Sequence, residues 1–105
     1  MEQPNLSYIN SMSVGDKGFE QKLIDIIKTE FPEEKEVYFE NIEAKNYKLT
    51  AENVHKLKHK ISILGLEKSY DVAVNYENNL IDGNTEGRIE FESILQIMMD
   101  FLETL

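Results

Sequence analysis

The sequence predicts an all-α fold, an antiparallel four-helix bundle with a short extra helix at the N-terminus. Three observations carry this. No stretch alternates apolar and polar residues over a useful length, as a half-buried strand would. Apolar residues instead recur three and four apart in four successive runs. Only two prolines and five glycines break the 105 residues, so the runs are long.

Taken in order, the first dozen residues carry Leu6, Tyr8, Ile9 and Met12, a short helix placed to close one end of the bundle. The next stripe runs Phe19, Leu23, Ile26, Ile27, Phe31 and resumes at Tyr38 and Ile42 beyond Pro32. Asp16 is placed to cap it. Proline fits a first turn or bends a helix interior, and we read one long helix kinked at Pro32. Thr50 offers the next cap, and Val54, Leu57, Ile61 and Leu64 form a stripe that stops at Gly65. A third run sets Leu66, Tyr70, Ala73, Val74, Leu80 and Ile81 on one side and ends at Asp82-Gly83-Asn84. The fourth, Phe91, Ile94, Leu95, Met98, Leu102 and Leu105, follows a cap at Thr85. Amphipathic helices joined by short connections bury their stripes against one another, and an antiparallel bundle does so economically.

Composition narrows the function. The hydrophobic share of 41% and charged share of 30% suit a soluble globular chain, and the length fits one domain over residues 1–105. A net charge of −9 argues against nucleic acid or an anionic membrane as partner, since both attract positive surfaces. The absence of cysteine excludes disulfides, thiolate metal sites and a cysteine nucleophile. No apolar run approaches a spanning helix, and the N-terminus lacks the basic and apolar segments of a signal peptide. The expectation is a cytoplasmic protein.

The charges are unevenly placed. Five lysines lie between Lys45 and Lys60 with a single acid, Glu52, and both histidines, His55 and His59, fall in this basic island. On a helical wheel of about 100° per residue with His55 at zero, Lys58 lies near 300°, His59 near 40° and Ser62 near 340°. The apolar stripe falls between about 180° and 260°. His55 therefore points away from the core, with Lys58 on the same exposed side. A solvated face and an exposed histidine without a role are the plain alternatives. A neutral imidazole is also a nucleophile near physiological pH. An ammonium one turn away can stabilise a phosphoryl group placed on it.

The segment from His55 to Leu66, His-Lys-Leu-Lys-His-Lys-Ile-Ser-Ile-Leu-Gly-Leu, resembles the signature of histidine-containing phosphotransfer (HPt) domains, H-x-L-K-G followed six residues later by glycine. Ala73-Val74-Asn75-Tyr76-Glu77 is similar to the A-x-x-L-E stretch of the family's next helix. The resemblance implies a free-standing histidine phosphocarrier of a multistep, two-component phosphorelay. His55 would be the phosphoacceptor, Lys58 the stabilising cation, His59 and Ser62 its neighbours and Gly65 the motif glycine. The partners implied are receiver domains of a hybrid histidine kinase or a response regulator. The chain itself would hold no cofactor, bind no nucleotide and have no kinase activity. The divalent ion, Mg2+, belongs to the receiver. Ile9, Met12 and Lys56 are candidates for docking that partner, and a carrier with one exposed face is most simply a monomer.

One position departs from the family. Where it has glycine four residues after the phosphoacceptor, this chain has His59, which can orient the His55 ring, crowd a docking receiver or itself accept phosphate. A degenerate HPt-like adaptor that binds receivers without phosphotransfer is the alternative. A metal site is the other. Two histidines four apart can share an ion, but Lys56 stands where the H-E-x-x-H motif has glutamate and the nearby lysines repel a cation. We expect no metal. Glu33-Glu34-Lys35-Glu36 reads as a solvated turn, and Met98-Met99 as core.

Overall fold

The computed structural model describes residues 2–105, and its secondary structure there is entirely helical. Five helices follow in order: α1 (Ser7–Met12), α2 (Lys17–Glu43), α3 (Tyr47–Ile63), α4 (Glu67–Ile81) and α5 (Arg88–Glu103). The molecule is elongated, 45 × 23 × 19 Å. Helices α3 and α4 pack most extensively, α2 lies on α3, and α5 is placed against α4 and α2.

Asp16 caps α2 as expected, its side chain accepting from the backbone N–H of Phe19. That helix runs unbroken through Pro32. Its buried stripe is Ile24, Ile27, Phe31, Tyr38 and Ile42, while Phe19 and Ile26, predicted inside, are over 40% exposed. Ile24 continues the spacing of Ile27 and Phe31 better than either does.

Both predicted threonine caps are corrected. Helix α3 begins earlier, at Tyr47, so Thr50 is a buried residue one turn inside it, donating back to the Asn46 carbonyl. Helix α5 begins later, after Gly87. Asn84 accepts from the Glu86 N–H, and Gly87 takes a left-handed φ of 98°, so a turn occupies the residues that Thr85 was expected to cap.

The α3 stripe is fully buried as predicted, from Val54 to Leu64. In α4, Leu66, Ala73 and Leu80 are buried, but Ile81 is 64% exposed and Val74 only half-buried. Tyr76, which the stripe left out, is fully buried instead. Its hydroxyl explains this. Tyr38 Oη donates to Glu92 at 2.9 Å, because a carboxylate only accepts, and so Tyr76 Oη donates to Tyr38 Oη at 2.8 Å. Arg88 Nε completes the chain at 2.7 Å from Glu92. Burial, with Tyr76 and Glu92 alongside, pushes the Tyr38 hydroxyl far above the ordinary tyrosine range. The rings of Tyr38 and Tyr76 sit 5.3 and 5.1 Å from Phe91. In α5 the predicted core residues are buried, and Leu105 lies outside them, 38% exposed.

The turn between α3 and α4 is compact. Leu66 N–H bonds to the Ile61 carbonyl and Gly65 N–H to that of Ser62, the Schellman pattern, with Gly65 at φ +77°. The N-terminal segment crosses this turn. Asn5 N–H bonds to the Leu64 carbonyl at 2.9 Å, and a Cβ on Gly65 would lie 2.6 Å from the Asn5 side chain. Gly65 is thus required by backbone shape and by close approach.

Leu66, at the α4 N-cap, has no capping side chain. Glu2 supplies one from a distance, its two carboxylate oxygens accepting from the N–H groups of Lys68 and Ser69, each at 2.9 Å. Burial pushes this carboxyl up, but the two backbone donors outweigh it and hold it below its ordinary value. A carboxyl depressed in the folded state stabilises above its unfolded value and loses that contribution as pH falls through the folded one. Glu2→Gln is therefore expected to lower stability at pH 7 by about 1 kcal/mol. Urea unfolding of both proteins should show the difference shrinking as pH falls below 4.5.

Candidate functional site

The α3 helix presents His55 outward, as its wheel requires, with the side chain 54% exposed. Its surroundings are set by α4. Glu77 Oε2 lies 3.1 Å from His55 Nδ1, and Glu77 Oε1 lies 3.0 Å from Lys58 Nζ. One carboxylate, itself 16% exposed, thus joins the two residues that the sequence singled out. Because an ionised carboxylate can only accept, the Nδ1 of His55 carries the proton. In the neutral ring this leaves the lone pair on Nε2.

Lys58 is not the free exposed cation predicted. Its side chain is only 12% exposed, held between Glu77 and the Tyr70 ring, whose centre is 5.7 Å from Nζ. The wheel placed it correctly near His55 but could not show α4 closing over it. His59 lies one turn on, its ring 5.0 Å from that of His55 and nearly perpendicular to it. The two imidazoles are therefore in contact.

The basic island is smaller than the sequence suggests. Besides Lys58, Lys60 is also neutralised. It is buried and its Nζ lies 3.1 Å from Glu30 and 3.2 Å from Glu34 of α2. Glu34, read as part of a solvated turn, is the partner the sequence did not reveal. Among the described residues Lys48 and Lys56 form no ion pair, and they flank an open groove of about 810 Å3 beside His55, which Glu52, Glu77 and the exposed Ile81 also line. Lys56 thus lines the same groove as His55.

Ser62 is exposed but is not gathered at His55. It lines a separate recess with Tyr8, Asn5, Gly65 and Tyr70. Ile9 is corrected as a docking residue: it is fully buried, and only end-plugging remains for it. On α1 it is Tyr8 and Met12 that stay exposed. The residue sequence reasoning missed is Glu77. It stands in the stretch Ala73–Glu77 already noted as family-like, and that was the available signal. Among the described residues, no group of three or more His, Cys, Asp or Glu side chains is placed to hold a metal ion, and no helix is long and apolar enough to cross a membrane. No family model, curated protein or solved structure matches the chain.

Proposed function

We propose that the chain is a histidine phosphocarrier, with His55 accepting a phosphoryl group from the aspartyl phosphate of a receiver domain and passing it to another. The supporting observation is the His55–Glu77–Lys58 arrangement: an exposed imidazole with Nδ1 held and Nε2 free, beside an ammonium. In this reading the Nε2 lone pair attacks phosphorus, the bond from phosphorus to the aspartyl oxygen breaks, and its electron pair returns to the receiver's carboxylate. The ring keeps its Nδ1 proton and gains positive charge, which Glu77 stabilises. Lys58 offsets the charge of the phosphoryl group. The divalent ion belongs to the receiver, and the chain needs no nucleotide of its own.

The same reading makes α2 to α5 an antiparallel four-helix bundle, with α1 at one end, of a monomeric cytoplasmic protein. Tyr8, which shares a recess with Ser62 of α3, the exposed Met12 of α1, and the groove bearing Lys56 and Ile81 are the surfaces offered to the receiver. His59 favours a second reading, a degenerate adaptor that docks receivers without accepting phosphate, because its ring stands against His55 where the family has no side chain.

Incubation with phosphorylated receivers and Mg2+ separates the two. An acid-labile, alkali-stable gain of one phosphoryl group is expected in the wild type and none in His55→Gln, with receiver binding kept. A label that persists in His55→Gln transfers the acceptor role to His59. Receiver binding without a label supports the adaptor.

A further inference from the structure

We infer that His55 and His59 form a two-imidazole chelate for a late first-row divalent ion such as Zn2+ or Ni2+. Several observations converge on this. The two residues stand at helical i, i+4 spacing, both exposed, with rings already in contact at 5.0 Å. With His55 held through Nδ1, exposure leaves the His59 side chain free to swing from the perpendicular pose until one of its nitrogens and His55 Nε2 meet a common ion. A metal-bound histidine characteristically donates its other ring N–H to a carboxylate, which fixes the tautomer and raises the basicity of the ligating nitrogen. His55 already has that partner, with Nδ1 3.1 Å from Glu77 and Nε2 left open.

The electrostatic objection drawn from the sequence weakens once the ion pairs are known. Lys58 is neutralised by Glu77, and Lys60 by Glu30 and Glu34. Among the described residues Lys48 and Lys56 form no ion pair, and Glu52 lines the same groove as both. Imidazole nitrogen selects zinc, nickel and copper over magnesium, which prefers oxygen ligands and keeps its water. The ion of a docking receiver would therefore not compete. With only two protein ligands, water completes the coordination, and the ion is exchangeable rather than structural.

The consequence rests on His55 being the phosphoacceptor. A metal ion on Nε2 occupies the lone pair that attacks phosphorus, so metal and phosphoryl group exclude each other. His59 then has a role as the residue that makes the nucleophile sensitive to transition metal.

Calorimetric titration of the full chain with zinc chloride tests the chelate without any receiver. One ion per chain is expected, and magnesium chloride should give no binding. His59→Ala and His55→Gln should each weaken binding by at least about tenfold. Both positions are exposed, so circular dichroism should show the fold intact. No zinc binding by the wild type, or unchanged binding by His59→Ala, overturns the site. Acylation by diethyl pyrocarbonate gives a second readout. Zinc should protect His55 in the wild type and not in His59→Ala, as read by mass spectrometry of the peptide, and equal acylation with and without zinc overturns the chelate. Both readouts hold whether or not any receiver phosphorylates the chain. If zinc binds at this pair yet leaves the rate of phosphotransfer to His55 unchanged, the exclusion alone is overturned.

Discussion

Glu77→Ala is expected to slow phosphoryl acceptance by His55 by about a hundredfold, the scale of loss when a reacting group is left unpositioned. Without the carboxylate, Nδ1 loses its acceptor 3.1 Å away, so the ring is free to rotate and to carry its proton on Nε2 instead. A ring in that tautomer has no lone pair to offer at its exposed nitrogen. Glu77→Gln separates orientation from charge. The amide oxygen still accepts from Nδ1, so most of the positioning survives, but the negative charge beside the incoming phosphoryl group is gone. Acceptance should therefore fall less than in Glu77→Ala, and the phosphohistidine should outlive that of the wild type. Rapid-quench transfer from one phosphorylated receiver measures both quantities. A wild-type rate in Glu77→Ala, with unchanged circular dichroism, would mean that the carboxylate does not prepare the nucleophile.

Lys58 acts on the same reaction from the other side. Lys58→Ala should slow transfer and shorten the phosphohistidine lifetime, each by roughly tenfold, less than an enclosed electrostatic contact costs because this site faces water. The loss should be smaller in a Glu77→Gln background, because both substitutions act through the shared carboxylate, and such coupling is what a double-mutant cycle detects. Strict additivity would place Lys58 outside the network.

How much of this was legible in the sequence depends on whether the determinant was local. The α3 stripe from Val54 to Leu64 and the outward direction of His55 follow from helical period alone, and the structure has both. Gly65 was legible as a helix terminator, but not as the point where Asn5 crosses. Glu77 lies 22 residues from His55, and no periodicity relates two helices to each other. The same blindness enlarged the basic island, because Lys60 finds its acids on α2, 26 residues away at Glu34. The stripe passed over Tyr76 although it stands three residues after Ala73, at helical spacing. Here Tyr38, itself donating to Glu92, accepts from the Tyr76 hydroxyl, so the whole side chain goes inside. The misplaced cap at Thr85 has a local cause, since asparagine and glycine at 84 and 87 made a turn that outcompeted the threonine between them.

Tyr76→Ala is expected to be the most damaging substitution for stability, costing about 3–5 kcal/mol by analogy with other large aromatic truncations. Domains of this size have about 5–15 kcal/mol in total, so the variant should be close to unfolding, with a urea midpoint lower by roughly 2 M. The hydroxyl alone is worth less, and the order of donors ranks the conservative variants. Tyr38 spends its one proton on Glu92 and receives one from Tyr76. Tyr76→Phe removes only a donor at the end of the chain, and about 1 kcal/mol should be lost. Tyr38→Phe removes the middle member and leaves the buried Tyr76 hydroxyl without an acceptor, so it should cost more, up to about 3 kcal/mol. The reverse order would mean that the protons run the other way. The ranking reaches the site as well. Tyr76 precedes Glu77 on α4, and its packing against Tyr38 and Phe91 sets the rotation of that helix. A variant that loosens this packing should slow phosphoryl acceptance even under conditions where most molecules stay folded, whereas Tyr76→Phe, which keeps the ring in place, should not.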